Sequence, residues 1–331
     1  MMSKYIVFMV VMLLISLDVH ASYFNTNRPQ KIIGSFLTEL EHIDEIKVFS
    51  NAFAIAPRTA SEITQYLDAN VYKMLPVISI SNLLIDKETG MYRHDVDAIV
   101  DAIEKSRLYN REMLFLMDEP LWWVRKACEE GKLKACHDVE NRYVETLSTF
   151  RLVGQLLREQ FPGSGMVHIE AWAELVMQKK TYPDEHVIML DDAEYLGFDC
   201  YGDFDYCGSP EHGYSSQIDY GTWVWDAMHA LESANPIGRK LFLVPGSFLA
   251  DEYFGSIKAI MDQMYIYAYI LSQHDKIGGF GIFLWGDMIE SDKPFTGARN
   301  IYPIADFIAF IAKYFGVENK SELCTVDSRC N

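Results

Sequence analysis

The residues best suited to chemistry lie in the stretch Arg111–Trp123, REMLFLMDEPLWW. Asp118 and Glu119 are adjacent carboxylates that directly follow the apolar run Met113–Met117, which is short and apolar enough to be a strand buried on both faces. Carboxylates at the end of a buried strand are costly to desolvate, so they need partners or a task that uses a perturbed pKa. Pro120 stops the strand, and Trp122 and Trp123 set flat apolar faces beside the acids. Carboxylates next to aromatic platforms suit a sugar, whose C–H faces stack while its hydroxyls hydrogen-bond. A plainer role also fits the same residues, with Asp118 as the N-cap of a helix.

The elements that must hold this stretch can be read in order. The sequence predicts strands over Lys31–Phe36, Ile46–Ala54, Lys73–Ile80, Met113–Met117, Met166–Trp172, Tyr195–Tyr201, Lys240–Val244 and Gly279–Trp285. Helical periodicity falls between them, at Thr59–Asn70, Asp95–Ser106, Asp138–Gln160, Trp223–Ser233, Phe254–Ser272 and Pro303–Phe315. Eight buried-type strands, most followed by a helix, predict an α/β chain folded as one (β/α)8 TIM barrel over 22–331, with a short cysteine-bearing tail. A doubly wound open sheet is the alternative. It is disfavoured because GSFLTE after the first strand lacks the Gly-rich phosphate turn.

In such a barrel the active site lies at the carboxyl ends of the strands. Besides Asp118 and Glu119, those ends offer His168, Glu170 and Trp172 on strand five, and Asp199, Tyr201 and Asp203 on strand six. Strand eight offers Trp285 and Asp287, strand two Ser50 and Asn51, and strand three Ser79, Ser81 and Asn82. Alternation groups His168 with Glu170 and Trp172, and Asp199 with Tyr201, and these sets are expected to face the barrel axis. Each residue alone also fits a structural hydrogen-bonding role, His168 and Asp287 most of all.

Glycoside hydrolysis needs two carboxyl groups across a glycosidic bond, and Asp118, Glu119, Glu170, Asp199 and Asp203 can supply them. A metal-dependent hydrolase would want several strand-end histidines, and His168 stands alone, so no metal is expected. Nor is a cofactor expected. The sequence has no G-x-S-x-G elbow, and Pro245-Gly246-Ser247 is read as a tight turn after strand seven.

Asp118-Glu119-Pro120 resembles the Asn-Glu-Pro motif of the large clan of barrel-fold glycoside hydrolases, whose glutamate there is the acid/base. Glu194–Tyr201, EYLGFDCY, is similar to the clan's sixth strand, and Phe283-Leu284-Trp285 to its eighth. The resemblance implies Glu119 as acid/base, Tyr201 as a supporting donor and Trp285 as a sugar platform. The clan's strand-seven glutamate nucleophile has no counterpart in Leu243–Phe248, LVPGSF. The acidic trio Asp118, Glu119 and Glu170 is also similar to the exopolysaccharide-degrading glycosidases of the polygalactosaminidase and spherulin-like type, which implies those three as the catalytic group.

The rest of the chain bounds this reading. One lysine, an apolar run from Tyr5 to Leu17 and a Val19-His20-Ala21 ending have the pattern of a signal peptide over 1–21; an uncleaved anchor is the alternative. The six cysteines fall into near neighbours, Cys128 with Cys136, Cys200 with Cys207 and Cys324 with Cys330, as expected of local disulfides in an exported protein. Spacing alone does not choose among the possible pairings, and no structural-zinc spacing occurs. A net charge of -18 argues against nucleic acid or an anionic membrane as partner and suits a neutral or cationic substrate.

The expectation is therefore a periplasmic or secreted glycoside hydrolase acting on an oligo- or polysaccharide. Glu119 would be the general acid, Glu170 or Asp199 the second carboxylate, and Asp118 would raise the Glu119 pKa by like-charge repulsion. Trp122, Trp172 and Trp285 would line sugar subsites, with Tyr201, His168 and Asp287 as further substrate contacts. A non-catalytic carbohydrate-binding barrel that has lost its nucleophile is the alternative.

Overall fold

A computed structural model describes residues 31–317, apart from 37, 71–73, 87–90, 93–95, 107–110, 132–138, 182–187, 203, 208, 210–219, 235–238, 252 and 291. The expected signal segment 1–21, the tail, Asp203, and Cys136, Cys324 and Cys330 lie outside the described residues. So does Glu252.

Eight parallel strands close into a barrel: β1 Ile32–Ser35, β2 Ala52–Ile55, β3 Leu75–Ser79, β4 Leu114–Asp118, β5 Gly165–Ala171, β6 Tyr195–Asp199, β7 Lys240–Val244 and β8 Ile277–Ile282. Each pairs with its sequence neighbours, and β1 closes on β8 through Ile32–Gly279 to Ser35–Ile282. The outer layer is α1 Ala60–Ala69, α2 Val96–Glu104, α3 Pro120–Glu129, α4 Val139–Gln160, α5 Trp172–Thr181, α6 Tyr220–Ala234, α7 Ile257–Gln273 and α8 Tyr302–Tyr314. Among the described residues, no helix is long and apolar enough to cross a membrane.

The barrel interior is filled by side chains, with Leu116, Val167, Ile169, Tyr195 and Phe242 in one buried cluster. Phe36 and Phe242 meet edge to face there, ring centres 5.8 Å apart. The glycines of β8 make that plug possible. A Cβ on Gly279 would lie 2.1 Å from the Phe242 ring, and one on Gly281 would lie 2.2 Å from the Phe36 ring. A second buried cluster fills the space between strands and helices, where Phe115, Met117, Phe198 and Trp223 pack.

Two expected boundaries change what the site contains. Strand two starts at Ala52, because Ile43–Ile46 is helical and turns follow it. Ser50 and Asn51 therefore sit at the amino end of β2, away from the face that carries barrel active sites. Asn51 instead stitches that end: its Oδ1 accepts from Ile33 N–H at 2.8 Å and its Nδ2 donates to Lys31 O at 2.9 Å. The second change is two helices at the ends of β4 and β5: α5 is absent from the sequence reading, and α3 begins one residue later than the plainer reading of Asp118 expects, with Glu119 as its N-cap. Their tryptophans had been read as loop or strand-end platforms.

Candidate active site

The carboxyl ends of the strands surround a cleft of about 480 Å³, within the size range of small-molecule sites. Asp118, Glu119 and Asp199 line it together, flanked by Trp122, Trp172 and Tyr201. Asn82 and Lys126 also contribute. Parity explains the convergence. Asp118 continues the inward-facing series Leu114, Leu116, and Asp199 continues Tyr195, Gly197.

Local structure fixes each acid. The Asp118 N–H donates to Ser81 Oγ at 2.7 Å, which ties β4 to the helical turn Ser81–Leu84 after β3. Glu119 is the N-cap of α3 and has a left-handed backbone, φ 49° and ψ 44°. That conformation is unusual for a residue with a Cβ and is held only when the surroundings determine it. Its N–H donates to Ile169 O at 2.8 Å, and Pro120 starts the helix immediately behind it. The abrupt turn leaves the Glu119 side chain at the cleft.

Asp199 is the electrostatic centre. Burial, and then the charge of Asp118, push its carboxyl up to about 7 from an ordinary 3.8. Hydrogen bonds from Tyr201 and Glu119 work in the opposite direction. The Tyr201 O–H donates to Asp199 Oδ2 at 3.0 Å. A hydrogen bond between the Asp199 and Glu119 carboxyl groups requires a proton between them. Burial and the neighbouring carboxylates raise Tyr201 well above its usual range, which keeps it a neutral donor.

Glu170 and His168 occupy a different place from the one expected. The inward residues of β5 are Val167 and Ile169, so its even-numbered residues point outward, beneath the helices. Both side chains are fully buried, and neither lines the cleft. Glu170 accepts from Leu121 N–H at 3.0 Å, Trp122 N–H at 3.1 Å and Ala171 N–H at 3.1 Å, so it caps α3 from the neighbouring strand. His168 Nδ1 accepts from Leu190 N–H at 3.0 Å, which leaves its Nε2–H facing Glu170 Oε2 at 3.3 Å. Burial lowers His168 to about 3, so the ring is neutral. Burial also raises Glu170, while the three backbone donors oppose that shift.

Strand eight departs as well. Trp285 packs on Phe49, its Nε1–H donates to Glu45 Oε2 at 2.9 Å, and Phe283 lines the cleft in its stead. Asp287 accepts from Gly297 N–H and Asn300 Nδ2, each at 2.8 Å, and so holds the loop after β8. At the end of β7 the cleft is lined by Val244, and Pro245-Gly246-Ser247, read from the sequence as a tight turn, instead runs on extended beside the segment after β8: Phe283 N–H donates to Pro245 O at 3.0 Å and Ser247 Oγ to Leu284 O at 3.1 Å. Tyr206, Tyr253 and Phe295 also line the cleft and were missed. Their only sequence signal was an aromatic in a loop after strand six, seven or eight.

Cys200, at the cleft, is bonded to Cys207, and Cys128 is also in a disulfide. Among the described residues, one group of potential cation ligands lies together, Glu39, Glu41 and His42, outside the cleft. His42 Nε2 there faces the Arg299 guanidinium at 2.8 Å, a poor setting for a cation.

Comparison with known proteins adds to the fold. No family model and no curated protein matches the chain. Among solved structures, it is similar to a Cellulomonas fimi endo-beta-1,4-mannanase double mutant at 10% identity and a TM-score of 0.51, over 86% of this chain and 71% of that one. A beta-glucosidase from Exiguobacterium marinum aligns at 12% identity and a TM-score of 0.49, over 83% and 86% of the two chains. A Bacteroides uniformis beta-glucuronidase aligns at 13% and 0.49, over 80% of this chain but 31% of its own, so this chain spans about a third of that protein. The mannanase likeness, at such identity, is one of architecture: the two chains share a (β/α)8 barrel.

Proposed function

We propose that the protein is an exported glycosidase that cleaves an oligo- or polysaccharide without a metal, using the carboxyl cluster of Asp118, Glu119 and Asp199. One observation carries this reading: three carboxyl groups and a tyrosine meet in an aromatic-walled cleft, and one of them is held protonated near neutrality. The Asp199–Glu119 pair shares a proton and delivers it to the departing glycosidic oxygen. The C–O bond breaks as that proton arrives, the Asp118 carboxylate stabilises positive charge at the anomeric carbon, and a water oxygen bonds there while its proton returns to the Asp199–Glu119 pair. Trp122, half-buried at the cleft, stacks on a sugar face, whereas Trp172 is buried against Phe198 and Trp223 and supports the wall from behind. Glu170 acts from below as a positioning residue that holds α3, and with it the turn at Glu119. A bonded Cys200–Cys207 pair supports an oxidising compartment.

The apolar end of β7 favours a second reading, a carbohydrate-binding barrel without turnover. The purified chain with its disulfides formed would be incubated with neutral and aminosugar polysaccharides, and new reducing ends measured. Release by wild type, lost in Glu119→Gln and Asp199→Asn, supports the glycosidase. Retention of a polymer without cleavage supports the binding barrel, and neither cleavage nor retention sinks both.

A further inference from the structure

A second pocket of about 430 Å³ opens beside the cleft, and no part of the proposed chemistry uses it. It lies between the loop after β7, Leu249 to Gly255, and the segment Lys293–Thr296 that follows β8. Two of its lining residues, Tyr253 and Phe295, also line the main cleft. The two spaces therefore share one aromatic wall.

That wall is continuous with the carboxyl cluster. Tyr201, the donor to Asp199, stacks on Phe283 with ring centres 4.8 Å apart and planes 20° apart. Phe283 meets Phe248 at 5.5 Å, Phe248 meets Phe295 at 5.0 Å, and Phe295 meets Tyr253 at 5.7 Å. The pocket is also preformed. Leu249 and Thr296 exchange both backbone hydrogen bonds at 2.9 Å, and Met288–Glu290 pairs with Lys293–Phe295 as a hairpin. Two exposed side chains of opposite charge, Asp251 and Lys293, are among its lining residues.

We infer that this pocket is a second sugar-binding position, taking a glycosyl unit further along the same chain than the units over Asp118, Glu119 and Asp199. Of the lining rings Phe254 and Phe295 are buried and the half-buried Tyr253 offers a face for stacking, while an acid with a base gives an acceptor and a donor for hydroxyls. A small ligand confined to the cleft would leave the pocket empty, so the substrate class is an oligo- or polysaccharide of several units. The inference rests on the carbohydrate reading of the cleft.

The test is calorimetric binding of chitosan, chitin, mannan and cellulose oligosaccharides of increasing length to the full chain carrying Glu119→Gln, so that long members survive. Asp251→Ala and Lys293→Ala are then added singly; both side chains are exposed, and circular dichroism checks their fold. The expected result is one ladder whose affinity steps up at a defined length, with the step reduced about two- to tenfold by either change. Short members should bind both variants as they bind the parent. A ladder that binds with no step, or variants that weaken short and long members equally, would overturn the second position alone. Binding of no ladder, together with cleavage of no polysaccharide by wild type, would overturn the carbohydrate reading and this inference with it.

Discussion

Tyr201 donates its phenolic hydrogen to Asp199 across 3.0 Å, and this bond restrains a carboxyl that burial and Asp118 drive upward. If Asp199 carries the transferred proton, activity falls as pH rises through about 7. Tyr201→Phe removes a donor that favours the ionised form, so the falling limb should move to higher pH. Asp118→Asn removes the like charge, so the limb should move to lower pH. Profiles of kcat/KM against pH read the limb separately from any loss of rate, and limbs that stay fixed in both variants would take Asp199 out of the proton transfer.

The same carboxyl has a consequence for stability. The folded-state pKa of Asp199 is raised, so the folded chain holds a proton that the unfolded chain releases above 3.8. Stability is thus lost progressively between 3.8 and about 7, and is fully present below that window. Asp199→Asn, which cannot ionise, should stabilise the protein above neutrality by a few kcal/mol, with about 4 as the ceiling from the size of the shift. The gain should vanish in acid. Urea midpoints on both sides of the window check this, and a variant equally stable at both would contradict it.

Glu170 separates positioning from catalysis. Glu170→Ala leaves the N–H groups of Leu121, Trp122 and Ala171 without their acceptor, at about 1–3 kcal/mol for a buried unsatisfied donor. A loss of about 3 kcal/mol in unfolding free energy is expected, and a smaller one for Glu170→Gln, which keeps one acceptor oxygen. Activity should fall in proportion to the disturbance of Glu119 and recover partly in the glutamine variant. Full stability with no residual activity in Glu170→Gln would instead put this carboxyl in the chemistry.

The barrel was legible because a buried strand is a local pattern. Each of the eight expected strands overlaps an observed one, and Lys240–Val244 matches to the residue. The carboxyl cluster was half legible. Asp118, Glu119, Asp199 and Tyr201 follow from strand ends, but which side of a strand faces inward depends on register around the closed barrel. For β5 that register puts Val167 and Ile169 inside and turns Glu170 toward α3, a relation between residues 49 apart that no short window contains. Helix α5 was hidden because its apolar residues run on from the strand before it.

Trp285 gives the last test. The sequence offers it as a sugar platform, whereas the structure packs it against Phe49 and bonds its Nε1 to Glu45, which also accepts from Arg299 Nη2 at 2.7 Å. Arg299 in turn faces His42 Nε2, so the tryptophan belongs to a brace between the segment after β1 and the one after β8. Trp285→Phe keeps most of the ring packing and removes the bond, for an expected loss of about 1 kcal/mol. Trp285→Ala also opens a cavity, for about 3–5 kcal/mol. Oligosaccharide affinity in the phenylalanine variant should stay within about twofold of wild type, because the side chain lies outside the cleft. A tenfold loss of affinity with unchanged stability would return Trp285 to the sugar-binding surface.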